Sequence, residues 1–581
     1  MNSRFFHFGE DNRGGYHFDP YALPENVRLL GNGQLGGKAR GLLFVIDHLR
    51  HGGRLTDYDP LIGFPDSFII TTDVYDEFME ENRLGESVLA RCAGEISTEE
   101  LQARIVAAHF PDAARARLAE FIAAEHRPLV VRSSSVMEDN PNHSFAGIYL
   151  SEFLGNTGSD ADRLEALVGA VKRVYASTFG RNARAYRKRH GLPWEKEKMA
   201  ILVQNMIGRH YPHSLFYPLI GGVAFSLNFY PWSDRLRPED GVVRLVVGVG
   251  TRAVGREYAR VFSPVMPGLR PEGSDTKAII RYSQETVDVL DMQSGRLGQR
   301  KLHQLNNPLL AEVCSVVSPD GTLYEPVGGI VGEGRYVATF NRFIARDDIF
   351  PFTSLVRELL AGLEGLFELP VDIEFAVDFP LSRATGEPRF YLLQARPLGG
   401  RPEHRRVRIP QIPKERILLS CGNVLGNGKK RGINDLIFVD PRTYDYTRAG
   451  EVARRVGEID QTLNGAPYIL IGPGRWGTTN PQLGVPVQYG EISGAEVIVE
   501  MATESFAPEL SYGTHFYADM VASGVLYLPF REEEGDQFNR DLLSRLPAVA
   551  SADGVLHVRA EEGFVVYADG AGKRGVIALS R

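Results

Sequence analysis

Val371-Asp-Ile-Glu-Phe-Ala-Val-Asp378, a loop containing Gly386 and Pro388, and then Arg389-Phe-Tyr-Leu-Leu-Gln-Ala-Arg396 read as a β-hairpin. Side chains alternate between the faces of a strand. Asp372 and Glu374 therefore share one face of the first strand, and Gln394 and Arg396 share one face of the second. Two hard carboxylates beside a fixed positive charge suit Mg²⁺ bridging nucleotide phosphates, with Arg396 near the terminal phosphate. Taken alone, such a hairpin reads more readily as a solvated polar face with Ile373 and Phe375 in the core.

Two stretches upstream carry compatible chemistry. Gly31-Asn-Gly-Gln-Leu-Gly-Gly-Lys38 opens a helix whose apolar residues run at helical spacing from Lys38 to Arg50. Glycines let backbone approach a phosphate, a helix N-terminus favours anions, and Lys38 adds a point charge. It is not a P-loop, because Ala39 follows the lysine where Ser or Thr is required. Val130-Val-Arg132-Ser-Ser-Ser-Val-Met-Glu-Asp-Asn-Pro-Asn-His-Ser144-Phe-Ala-Gly147 puts an arginine at a strand end, followed by a polar loop of small residues. The arginine fork matches phosphate, and Ser/Gly backbone is able to close over it. The same loop also reads as plain surface, with Arg132 paired to Glu138 or Asp139.

Other elements follow from pattern. Ser67–Thr71 is a strand, and Thr72-Asp73 would cap the helix through Tyr75, Phe78 and Met79. Residues 97–126 predict two helices, Pro128–Arg132 a buried strand, and 161–190 a helical region ending in the basic run Arg184–Lys188. Strands are expected at 199–207, 221–230 and 242–248. Mixed helices and strands with hairpins argue α+β or mixed α/β.

At 581 residues the chain is too long for one core, and its 43% apolar and 24% charged composition is ordinary for globular proteins. Lys plus Arg is 65 against 73 Asp plus Glu, a formal charge of −8, which argues against a dedicated nucleic-acid binder. Cys92, Cys314 and Cys421 lie far apart, which predicts reduced thiols rather than a disulfide framework. The fourteen histidines form no HExxH or comparable metal cluster. With no signal-peptide run and no long apolar stretch, a cytoplasmic protein without a membrane partner is expected.

The pieces occur in a recognisable order: GGKARGL, FPDSFIITTDVYDEFMEENRL, VVRSSSVMEDNPNHSFAGIY, ILVQNMI at 201, GGVAFSLN at 221, GVGTRAVG at 248, and the DIEF…YLLQARPL hairpin. In this the chain, over about residues 20–400, resembles the ATP-binding domain of the phosphoenolpyruvate synthase and pyruvate phosphate dikinase family, which is of ATP-grasp type. The resemblance implies that Lys38 and Arg132 contact ATP phosphates and that Asp372 and Glu374 form the Mg²⁺ site. It further implies that Gln394 and Arg396 orient the transferred phosphoryl groups, and that Gln204 and the backbone near Met206 hold adenine. Ser144 to Gly147 would cover the phosphates. One departure stands out. Where the family reads Gly-Leu-Gly-Glu, this chain has Gly248-Val-Gly-Thr251-Arg252, losing a carboxylate and gaining a positive charge.

The expected organisation is an ATP-grasp-type unit of two subdomains, 1–215 and 216–400, then a linker at 401–416 and a smaller α/β domain at 417–581. About 165 residues follow 416, whereas a pyruvate-binding barrel needs about 250, so the barrel is expected to be lacking. In the tail, Ser511-Tyr-Gly-Thr-His515 precedes a helical run, with Gly524 nine residues on. A histidine at a helix N-terminus beside a hydroxyl suits phosphoryl acceptance; it reads equally as a core histidine under Tyr512 and Phe516. Ile469-Leu-Ile-Gly-Pro-Gly-Arg475 and Gly422–Lys430 offer glycine turns with positive residues, either anion sites or plain turn chemistry. The leading expectation is an ATP- and Mg²⁺-dependent phosphotransferase that passes a phosphoryl group to His515, or to a small-molecule or protein acceptor bound by the tail. A homodimer is compatible with it. The alternatives are a non-catalytic ATP-binding regulator, favoured by Thr251-Arg252, and an ATP-grasp ligase.

Overall fold

The described residues of the computed structural model are 23–138, 148–229, 231–254, 258–326, 335–348, 350–380, 387–398, 406–422, 424, 426–478, 480–506, 508, 524–570 and 572–580. They form two compact units. One takes the described residues of Met1–Ala183, Pro193–Val254 and Tyr258–Gly399, the other those of Arg184–Leu192 and Gly400–Arg581. Both mix helices and strands.

In the first unit, the serine-rich strand Leu129–Ser135 lies inside a five-stranded sheet ordered Val27–Leu30, Ser67–Ile70, Met199–Asn205, Leu129–Ser135, Ser151–Leu154. A six-stranded sheet runs Arg260–Phe262, Val242–Val247, Ile220–Phe225, Val371–Asp378, Arg389–Pro397, Ile62–Gly63. The hairpin thus pairs on both sides, and its first strand is central rather than exposed.

One face of this second sheet builds the main core. Ile373, Phe375 and Val377 are fully buried there, and the Phe375 and Phe390 rings stack at 4.9 Å. The helix Phe352–Phe367 covers them. Its Phe352, Leu355, Val356, Leu359, Leu360, Leu363 and Phe367 recur every three or four residues and are all buried. Burying each such side chain stabilises by about 1.5–3 kcal/mol, which fixes the sheet's orientation and turns Asp372 and Glu374 to the opposite face. That face is not solvated, since Asp372, Gln394 and Arg396 are all buried.

The local expectations hold with small shifts. The helices are Gly37–Arg50, Thr98–Ala107, Asp112–Ala124, Asp160–Ser177 and Arg181–His190. The helix after the Ser67–Ile70 strand spans Thr72–Glu81, but Thr71 is its N-cap and neither Thr72 nor Asp73 caps it. Their side chains turn to the preceding glycine turn instead.

The second unit is organised on a sheet ordered Leu526–Arg531, Ala495–Ala502, Tyr468–Pro473, Asn427–Val439, Val555–Asp569, Arg574–Leu579, Ile417–Gly422, Gln537–Phe538. The first four strands are mutually parallel and the rest antiparallel. The helix Ala449–Leu463 makes the crossover between Asn427–Val439 and Tyr468–Pro473, as a parallel pair requires. Among the described residues no helix is long and apolar enough to cross a membrane.

Candidate functional site

Three consecutive serines at the end of the Leu129–Ser135 strand each do different work. Ser134 Oγ accepts the Ala39 N–H at 3.1 Å and donates to the Leu35 carbonyl at 2.9 Å, so it caps the Gly37–Arg50 helix from another strand. Gly36 has φ of 72°, and a Cβ there would lie 1.5 Å from the Ser134 carbonyl oxygen. Only glycine permits this approach. Farther along the helix, a Cβ on Gly41 would lie 2.3 Å from the Ala395 carbonyl oxygen, so the helix rests on the hairpin strand. Lys38 is therefore anchored between both sheets.

Lys38 Nζ donates to Ser133 Oγ at 3.3 Å and forms an ion pair with Glu138. Glu138 also accepts the Ser135 N–H at 3.1 Å and the Ser133 hydroxyl at 3.3 Å. Ser135 Oγ donates to Glu197, which also accepts from the Tyr149 hydroxyl at 2.5 Å.

On the hairpin, Asp372 pairs across to Arg396 and Glu374 to Gln394, the register that alternation implied. Arg396 places Nε and Nη2 on Asp372 Oδ2 at 2.7 and 2.6 Å. Arg132 reaches over from the first sheet, with Nη2 2.5 Å from Glu374 Oε2 and 2.8 Å from Gln394 Oε1. A bulge after Glu374 leaves Leu393 out of register, and its carbonyl accepts from Gln204 Nε2 at 3.4 Å. The Met206 N–H donates to the Pro128 carbonyl at 2.8 Å.

Three cations, Lys38, Arg132 and Arg396, thus face three carboxylates, Glu138, Glu374 and Asp372, and all but the partly exposed Glu374 are buried. An unpaired buried charge would cost several kcal/mol, so the set balances itself. Partner exchange makes such a set chemically useful. A phosphate chain can take the cations while a divalent metal takes the carboxylates. Among the described residues no group of three or more His, Cys, Asp or Glu side chains forms a metal cage. Two carboxylate oxygens with phosphate and water completing the shell fit Mg²⁺, which prefers few protein ligands.

Two sequence readings change here. The Asn32 and Gly33 N–H groups donate to Asp73 at 2.8 and 3.0 Å, and the Gln34 N–H donates to Thr72 Oγ1 at 2.9 Å. These amides are engaged internally, so this part of the glycine turn shapes the chain and offers no phosphate cradle. Burial works against ionising Asp73, but the Asn32 and Gly33 amides and the Thr71 hydroxyl hold its carboxyl below the ordinary range. The added charge at Arg252 is also cancelled. Its Nε lies 2.8 Å from Asp288 Oδ1, and Thr251 Oγ1 donates to Asp288 Oδ2 at 2.7 Å.

Ser144, Gly147 and His515 lie outside the described residues. In the tail, Arg475 and Trp476 are fully buried, and Trp476 Nε1 donates to the Val499 carbonyl at 3.1 Å. A Cβ on Gly472 would lie 2.3 Å from the Trp476 ring, so Gly472 seats a core tryptophan. Lys430 pairs with Glu496 at 2.5 Å, and Lys429 lies 4.9 Å from the Tyr567 ring centroid. Glu138, Glu197 and Asp288 were not among the residues singled out for chemistry; a carboxylate three residues beyond a serine run was the available signal for the first.

Comparison with known proteins gives a coherent result. Residues 32–416 match the family model described as pyruvate phosphate dikinase, AMP/ATP-binding domain. A phosphoenolpyruvate synthase of Neisseria meningitidis serogroup B is 25% identical over 453 residues, 74% of this chain and 48% of that protein. The phosphoenolpyruvate synthase of Aeropyrum pernix is 25% identical over 386 residues, 62% of this chain and 40% of that protein. An uncharacterized phosphotransferase of Bacillus subtilis, YvkC, is 29% identical over 174 residues, 29% of this chain and 18% of that protein. The chain spans less than half the length of these relatives.

Proposed function

From the premise that this chain belongs to the pyruvate phosphate dikinase AMP/ATP-binding domain family, we propose that it is an ATP- and Mg²⁺-dependent phosphotransferase. The observation that carries this reading is Arg132 joined to both Glu374 and Gln394 across the two sheets. These two contacts join residues 242 and 262 positions apart in sequence, which supports the reading.

In this reading Asp372 and Glu374 would hold Mg²⁺, which when bound would neutralise charge on the phosphate chain. Arg132 and Arg396 exchange their carboxylate partners for phosphoryl oxygens, Lys38 adds its ammonium to the phosphate chain, and Gln394 orients the group that moves. Gln204 and the backbone near Met206 hold the base. Phosphoryl transfer needs positioning and charge stabilisation more than covalent chemistry, and this residue set supplies both. Asp288 cancels the charge that Arg252 adds, which removes that half of the case for binding without turnover.

The phosphoryl acceptor is His515 or a small molecule or protein held by the tail. Incubation with γ- and β-labelled ATP and Mg²⁺, followed by intact-mass analysis, tests both parts. Acid-labile label on the wild type and none on His515→Ala supports the histidine relay. Consumption of ATP without protein label supports direct transfer to a bound acceptor. No Mg²⁺-dependent ATP binding or consumption would overturn the phosphotransferase reading.

A further inference from the structure

We propose that Glu138 is a positioning residue that fixes where the Lys38 ammonium meets the nucleotide phosphates; this deepens the nucleotide reading above and rests on it. A lysine carries a point charge on a flexible four-carbon stem, and backbone placement alone does not orient its head. Gly36, Ser134 and Gly41 settle where the Lys38 backbone lies. The ammonium is held separately, by Ser133 Oγ at 3.3 Å and by the Glu138 carboxylate.

Glu138 is itself locked before it meets Lys38. Its N–H donates to the Ser135 carbonyl at 3.2 Å, and its Oε2 accepts the Ser135 N–H at 3.1 Å, so the turn and the side chain close on each other. Ser133 Oγ adds a second donor to the carboxylate at 3.3 Å. With 1% of its surface exposed, the carboxylate is shielded from water, which does not compete for it. Arg132 and Arg396 have carboxylates of their own in Glu374 and Asp372, so the three cations do not share one partner. The arrangement presets Lys38, and arriving phosphate takes over an ammonium already in place.

The test is a double-mutant cycle on the full-length protein, with calorimetric affinity for Mg²⁺·AMP-PNP as the readout. Glu138→Gln is expected to weaken binding about tenfold, as does loss of a charge-assisted hydrogen bond. In the Lys38→Ala background it should add nothing. Glu138→Asp, which keeps the charge on a shorter stem, should fall between wild type and Glu138→Gln, and it carries the test if Glu138→Gln does not fold. A residue that only stabilised the turn would lower the melting temperature and give losses that add to those of Lys38→Ala. Additive losses, or wild-type affinity in the folded Glu138 variants, would overturn the positioning role while leaving the nucleotide reading intact. Failure of the wild type to bind Mg²⁺·AMP-PNP would overturn that reading and this inference together.

Discussion

Both units of this molecule bury charge, and they do so to different ends. In the first, Arg132–Glu374 and Asp372–Arg396 lie side by side on one sheet face, with Lys38–Glu138 at the strand that carries Arg132. In the second, the buried carboxylates among the described residues tie the fold to itself. Glu500 accepts the Trp476 N–H at 3.0 Å and the Tyr527 hydroxyl at 2.6 Å, and Asp435 takes His557 Nε2 at 2.7 Å and Arg559 Nε at 2.9 Å. Burial of a charge is thus no mark of a site. A site is marked by several cations and carboxylates brought onto one face from distant parts of the chain, where partners can be traded.

The contrast predicts that substitutions in the two units damage different properties. Trp476→Ala should cause the largest loss, about 3–5 kcal/mol of stability, because it empties a fully buried site and removes the bond to Val499. Calorimetric melting checks this, and nucleotide affinity measured well below the transition should stay at the wild-type value. A loss of affinity in the folded variant would break the contrast. Glu374→Gln should do the reverse, cutting Mg²⁺-dependent ATP consumption about 10²–10³-fold while melting changes less than in Trp476→Ala, because Gln394 and the new amide oxygen still accept from Arg132. Undiminished consumption would remove Glu374 from the metal assignment.

The smallest effect should appear away from either cluster. Burial pushes the Glu125 carboxyl up, but hydrogen bonds from Arg127 and Asn205 outweigh it and bring the pKa down from 4.5 to about 2. Its stabilisation is therefore fully present above pH 4.5 and lost as pH falls towards 2. Arg127 is largely exposed, so solvent screens the pair and the contribution should stay below about 1 kcal/mol. Melting curves of the wild type and Glu125→Gln should converge between these two pH values. A constant gap would show that the substitution acts through packing.

The sequence made the face of the hairpin legible because strand periodicity is strict. A two-residue period puts Asp372 with Glu374 and Gln394 with Arg396, and the register follows. Partner choice was not legible. Arg132 pairs with Glu374 on the distant hairpin, and Glu138 serves a lysine 100 positions away. Local pattern also misjudged Thr72 and Asp73, whose side chains have the preference of helix caps but find donors some 40 residues upstream, in the glycine turn. The basic run Arg184–Lys188 was readable as a helix end. The partners of the next residue were not: Arg189 donates to the carbonyls of Ser493 and Ala495 at 3.0 and 3.1 Å. In each case the missing information is tertiary, a donor or acceptor supplied by chain far away in sequence.

The balanced charge set has a consequence for how a nucleotide arrives. Six groups of opposing sign, paired at hydrogen-bond distance, cancel within a few ångströms and project little field into solvent. Added salt, which screens over about 8–10 Å, has little there to screen. These six groups therefore give an approaching polyanion little steering, and their share of the association rate should barely respond to ionic strength. Discrimination falls instead on the moment of exchange, when Arg132 and Arg396 turn to phosphate and leave Glu374 and Asp372 in need of a new cation. Free nucleotide brings none; nucleotide that arrives with its metal does.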